Sequence, residues 1–303
     1  MYVPPRIQVV PLPDYQVAFL ANGVERLRWH FGRHYPRPFL YPVLDPHGVP
    51  ITRMGHPAAP NHDHHRSVWF GHANVGGVNF WADGVGSQQV RQLAWVHYQD
   101  GQNTGLAFVR LGWFDAHNAE LLRQDLIIAC TDVGNGETLV ELQSEFRCPG
   151  TELVLGKTNF GFLGVRVAAG VSALFGGGAL RASDGTAGEK SIFGKRYPWI
   201  DYSGYPRGYL ASGISYFDHP DNPRHPTAWH VRDDGWMCAS LCMNGPLVVR
   251  KDAPLRLRYA LYVHAGIYPK ERIATEWERF ASMGAWINVG RRGPYRTWLE
   301  RAR

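Results

Sequence analysis

Leu255-Arg256-Leu257-Arg258-Tyr259-Ala260-Leu261-Tyr262-Val263-His264 is the stretch that decides the fold class. Leu255, Leu257, Tyr259, Leu261 and Val263 alternate with Arg256, Arg258, Ala260, Tyr262 and His264. A period of two sends these sets to opposite faces of an extended chain, the pattern of a half-buried antiparallel strand. The same period recurs upstream. Val140, Leu142 and Phe146 alternate with Glu141, Gln143 and Glu145, and Ala107, Val109, Leu111 and Trp113 form a third stripe. Asn135-Gly136, Asp184-Gly185 and Asp100-Gly101 supply turns between such runs. Helical spacing is firm in one place, Lys270 to Met283, where Ile273, Trp277 and Phe280 share a face and Gly284 ends the run. Strands that follow strands predict an all-β protein. The expected architecture is one large antiparallel β-sandwich over residues 1–303, with a helix at about 270–283 and a basic tail over 290–303.

Composition narrows the function. Of 303 residues 45% are apolar and 19% charged, so a sizeable core is available. No segment approaches the roughly 20 apolar residues of a membrane helix. Met1-Tyr2-Val3-Pro4-Pro5 opens no secretory signal, and Cys130, Cys148, Cys238 and Cys242 form no CxxC pair. These features predict a cytoplasmic protein with reduced thiols and no membrane partner. The net charge of +6 comes from arginines scattered one or two at a time. That dispersal speaks against nucleic acid, which selects a concentrated basic stripe, but it is compatible with anionic small molecules. The 11 Trp and 14 Tyr suit β surfaces. They also suit sugar sites, where flat rings stack on a pyranose.

Chemistry concentrates in two loop-like segments. Five of the 14 histidines lie between His56 and His72: His56, His62, His64, His65 and His72. A second group is His219, His225 and His230, set among Asp218, Arg224 and Arg232. Imidazole gives and takes protons near neutral pH, and neighbouring Asp and Arg side chains fix its tautomer or bind carboxylates and hydroxyls. Loops on a rigid sheet are the usual place for a site. A third segment, Asp184 to Tyr202, offers Glu189, Lys195 and Trp199. Two other chemistries lack their signatures. No GxSxG elbow is present, and Gly176-Gly177-Gly178 is not followed by the GK[ST] of a phosphate loop.

Longer motifs carry a family resemblance. Arg37-Pro38-Phe39-Leu40-Tyr41-Pro42-Val43, Asp63-His64-His65-Arg66, Trp69-Phe70-Gly71-His72 and Val78-Asn79-Phe80-Trp81 resemble the soluble bacterial family labelled methane oxygenase PmoA. So do Gly194-Lys195-Arg196, Trp199-Ile200-Asp201-Tyr202-Ser203-Gly204, Asp218-His219-Pro220 and Trp229-His230-Val231-Arg232. The likeness runs over about residues 20 to 265. Methane oxidation by the particulate enzyme belongs to a membrane complex, which this chain does not resemble. The resemblance implies a galactose-mutarotase-like supersandwich and a role in bacterial sugar catabolism. In galactose mutarotases a histidine acid faces a glutamate base across the sugar, an analogy without residue-by-residue correspondence here. Pro60-Asn61-His62 precedes Asp63-His64-His65 in place of a simpler Asp-His-Pro-His-His pattern, which favours His64 and His65 over His62 as site residues.

The expected function is that of a PmoA-like carbohydrate-metabolism enzyme, an aldose-epimerase-like isomerase or a lyase acting on a sugar or keto-sugar. Its chemistry would be epimerisation, or elimination or hydration. His64, His65 and His230 are the expected proton handlers, with Glu189 as carboxylate partner. Arg66, His72, Trp81, Lys195, Trp199, Asp218, His219, Arg224 and His225 are the expected substrate contacts. Acid/base chemistry of this kind requires no cofactor. The first competing reading is a metal enzyme holding Zn, Mn or Fe on His62, His64 and His230. The second is a non-catalytic carbohydrate-binding protein. Oligomeric state is not legible.

Overall fold

The computed structural model describes residues 4–55, 62–83, 88–290 and 298–302. His56 and most of the basic tail, including Arg291, Arg292, Arg296 and Arg303, lie outside the described residues. In chain order, β1 (Ile7–Leu12), β2 (Gln16–Ala21), β3 (Val24–His30), β4 (Phe39–Val43) and β5 (Val68–His72) begin one sheet. β6 (Gln89–Gln99), β7 (Thr104–Phe114), β8 (Glu120–Gly134) and β9 (Glu137–Arg147) begin a second. After β10 (Glu152–Leu155), β11 (Gly161–Arg166) returns to the first sheet, and α1 (Ala173–Gly176) follows. β12 (Ala179–Ala182), α2 (Glu189–Ile192), β13 (Trp199–Gly204) and β14 (Ser212–Asp218) lead through the second sheet. β15 (Trp229–Arg232) and β16 (Trp236–Ala239) close the first. β17 (Leu247–Arg250) pairs with β10, β18 (Leu255–Ala265) completes the second sheet, and α3 (Lys270–Ser282) precedes the hairpin of β19 (Trp286–Asn288) and β20 (Leu299–Arg301).

The result is an all-β sandwich of two eight-stranded antiparallel sheets, ordered β1-β2-β3-β4-β5-β11-β16-β15 and β12-β13-β14-β18-β9-β8-β7-β6. Alternation explains the layering. Ala107, Val109, Leu111 and Trp113 of β7 and Val140, Leu142 and Phe146 of β9 meet Val68, Phe70, Leu163 and Val165 from the other sheet in one buried core. The Asn135-Gly136 turn joins β8 to β9 with both residues at positive φ, 53° and 79°, the backbone that a two-residue hairpin requires.

One sequence expectation changes. The strand at Leu255 is not half-buried: beyond Arg256 both of its faces are covered. Helix α3 lies across the outer face, and Ile273 and Phe280 pack with Ala260, Tyr262, Trp199 and Phe217 in a second core. Among the described residues of the basic C-terminal segment, three form a strand. Leu299–Arg301 pairs with Trp286–Asn288, Leu299 is buried, and Arg301 reaches Glu141. All four cysteines are buried thiols. Among the described residues no helix is long and apolar enough to cross a membrane.

Candidate active site

Four adjacent strands, β5, β11, β16 and β15, build the floor of the site. Directly paired residues of antiparallel strands share a face. Trp69 is opposite Gly164, Gly164 opposite Cys238, and Cys238 opposite His230. One step along, Arg166 is opposite Trp236, which is opposite Arg232. All of these residues therefore leave the sheet on the side away from the core, because their neighbours Val165, Val231 and Met237 are the ones that fill it.

Over this floor lies a cavity of about 340 Å³ lined by His62, His64, His65, Trp81, Phe160, Arg166, His230, Arg232, Asp234 and Trp236, with Ala82 at the rim. The volume suits a small molecule. The two histidine segments, some 150 positions apart in sequence, thus meet at one wall. The His64 and His65 rings are 4.4 Å apart, His62 is 5.0 Å from His65, and His65 stacks on Trp236 at 5.0 Å. Trp69, Trp81 and Trp236 pack on one another at 5.1–5.4 Å, and Phe160 touches both Trp81 and His230.

His230 is fixed in one tautomer. Its Nδ1 lies 3.0 Å from the Asn159 carbonyl, so Nδ1 carries the proton and donates it there. Nε2 is left as a lone-pair acceptor. Burial, with the Arg232 charge adding to it, pushes the His230 pKa down to about 4, and the ring is neutral at physiological pH. Arg166 and Asp234 form an ion pair at 2.6 Å, with the Arg166 side chain fully buried. Burial also lowers the Arg166 pKa. Arg53 braces the pair from behind, donating to the Val167 and Asp234 carbonyls.

The remaining expected site residues lie elsewhere, each for a structural reason. Glu189 does not line the cavity. It stands one side chain back, where Oε1 accepts from Arg232 at 2.7 Å and Oε2 from the Asp233 amide. Arg66 and Arg37 both clamp Asp83, at 2.5 and 2.9 Å, which ties the His64–Arg66 loop to the segment after Trp81. His72 is buried, stacked on Phe162 and bonded to the Gly156 carbonyl. Asp218 is buried and accepts from Asn222, His225 and the Thr227 amide. His219 packs edge-on against Phe280, and Arg224 donates to the carbonyls of Leu241, Gly245 and Pro246. Trp199 sits under α3 on the far sheet, and Lys195 is exposed outside the cavity. The dense polar run from Asp218 to His225 is a loop-tying network. Among the described residues no group of three His, Cys, Asp or Glu side chains is arranged to hold a metal ion.

Phe160, Arg166, Asp234 and Trp236 belong to no motif that marks them in the sequence, and Arg232 stands out only within Trp229-His230-Val231-Arg232. A signal for two of them exists. Arg166 interrupts the otherwise apolar run Phe162-Leu163-Gly164-Val165-Arg166-Val167, and an arginine in the middle of a buried strand needs a partner. His230 and Arg232 have the two-residue spacing of one strand face.

A β-sandwich with a cavity of small-molecule size on the outer face of one sheet is the class of protein that these features define. The chain belongs to the family of unknown function DUF6807, whose model matches residues 16–278. That span includes every residue lining the cavity. No curated protein matches the chain.

Proposed function

We propose that the protein binds a carbohydrate in this cavity and carries out acid/base chemistry on it. The observation that carries the reading is the state of His230: a neutral ring, its Nδ1–H held by the Asn159 carbonyl and its Nε2 available as a base. His64 and His65, on the adjoining wall, are the groups to return a proton. The aromatic wall of Trp81, Phe160 and Trp236 supports a sugar ring, since such rings bury C–H faces against indoles. Epimerisation and elimination at a carbon next to a carbonyl or carboxyl group share the first step, removal of the proton on that carbon. Expulsion of water by the aromatic walls strengthens any charge interaction made there.

The test is proton exchange in deuterated water, followed by NMR over a panel of free and 3-keto sugars. Wild-type protein should exchange at least one C–H of a bound sugar, and His230→Ala should not, with its fold intact by circular dichroism. Saturable sugar binding without exchange would reduce the protein to a binding module. Full exchange in His230→Ala would remove His230 as the base.

A further inference from the structure

Arg166 has hydrogen-bonding capacity that the fold does not use. Its Nη1 donates to Asp234 Oδ1, but Nε and Nη2 have no hydrogen-bond partner among the described residues, although the side chain is fully buried. Those two nitrogens form one edge of the guanidinium, and their N–H groups run parallel at the spacing of two carboxylate oxygens. An arginine edge buried without partners is strongly unfavourable, so native structures keep one chiefly where something else completes it. Arg166 stands in the cavity wall next to Trp236, and Arg232 flanks the same indole from the other side.

We infer that the cavity takes an acidic sugar, whose carboxylate is held side-on by the Nε–Nη2 edge of Arg166 while its ring lies against the Trp236 and Trp81 wall. The inference rests on the carbohydrate reading above and names the substrate class. A planar monoanion fits better than a phosphate or sulfate ester. Arg166 is already paired with Asp234, and Arg232 with Glu189, so the wall is close to charge balance and keeps one buried planar fork without a partner. A carboxylate also suits the proposed chemistry. The proton on the carbon beside it is the one a neutral imidazole would remove, and a guanidinium fork is placed to receive the charge that develops on the carboxyl oxygens.

The experiment is calorimetric and NMR titration of the full chain with D-galacturonate and D-glucuronate against D-galactose and D-glucose. Glucose 6-phosphate and glucose 6-sulfate serve as comparators. At least one uronate should bind about tenfold or more tighter than its neutral counterpart and raise the melting temperature. Arg166→Gln, which can still bond Asp234, should bring that preference to about one. If Arg166→Gln does not fold, the wild-type preference for a uronate over its neutral counterpart decides alone. Equal affinity for uronate and neutral sugar overturns the inference, as does tighter binding of the phosphate or sulfate ester, or a preference that survives in Arg166→Gln. Proton exchange on neutral sugars with no uronate preference would leave His230 as the base and remove only the carboxylate fork.

Discussion

Gly164 and Trp236 are in contact across β11 and β16, and a Cβ built on Gly164 would fall 2.5 Å from Cη2 of the indole. Trp69 presses on the same point at 3.2 Å from the other side. The glycine is therefore the gap into which two indoles of the cavity floor fit. His65 stacks on the Trp236 indole, so its position is transmitted to the imidazole wall.

Gly164→Ala should consequently act on site and fold together. Overpacking a filled core of this kind costs about 1–3 kcal/mol. A lowered denaturation midpoint with weakened sugar binding is expected. Wild-type stability would show that the indoles can shift at no cost.

Acid should weaken the fold in a defined window. Burial holds His72, His219 and His230 at about 4, each below the ordinary value of 6.5. Between those values the unfolded chain binds protons that the native state refuses, so stability is complete above 6.5 and is lost as the pH falls toward about 4. Each ring withdraws up to about 3 kcal/mol at the end of that range. Urea denaturation from neutral to acidic pH measures the slope, and His72→Gln should make it shallower. A pH-independent midpoint across the window contradicts the burial of neutral rings.

The same protonation sets the acidic limb of the proposed chemistry. A base that is protonated at about 4 keeps its lone pair throughout the neutral range, so exchange should decline near that value. A limb centred near 6.5 would point to another histidine as the base.

Glu189→Gln separates a direct role from a supporting one. Glu189 touches Arg232 rather than the cavity, so proton exchange should persist within about tenfold of wild type. Complete loss would restore Glu189 as a participant in the chemistry.

Asp218→Ala should do the opposite, damaging stability and sparing the ligand. Its buried carboxylate accepts three hydrogen bonds, from Asn222, His225 and the Thr227 amide. A loss of about 3 kcal/mol is expected. Sugar affinity measured below the melting temperature should be unchanged, and abolished binding in a stable variant would place the loop at the site.

Local pattern was enough for the elements. Alternation in Ala107–Trp113 and Val140–Phe146 and the turn at Asn135-Gly136 are properties of a few adjacent residues, and they dictate strands, faces and hairpins wherever the rest of the chain lies. The helix at Lys270 was legible for the same reason. Its effect on Leu255–Ala265 was not, because covering a strand's second face depends on a segment that folds back onto it. The site divided along the same line. Its imidazoles were conspicuous as residue types, yet His72, His219 and His225 look no different in sequence from His64, His65 and His230. What separates them is the pairing of β11, β16 and β15, which turns Arg166, Trp236, His230 and Arg232 to one side of a sheet and brings the His62–His65 loop over it. Burial and hydrogen bonding are properties of that assembled surface, so the sequence alone determined what the chain is made of, and tertiary packing decided which of its polar groups face a cavity and which only hold loops in place.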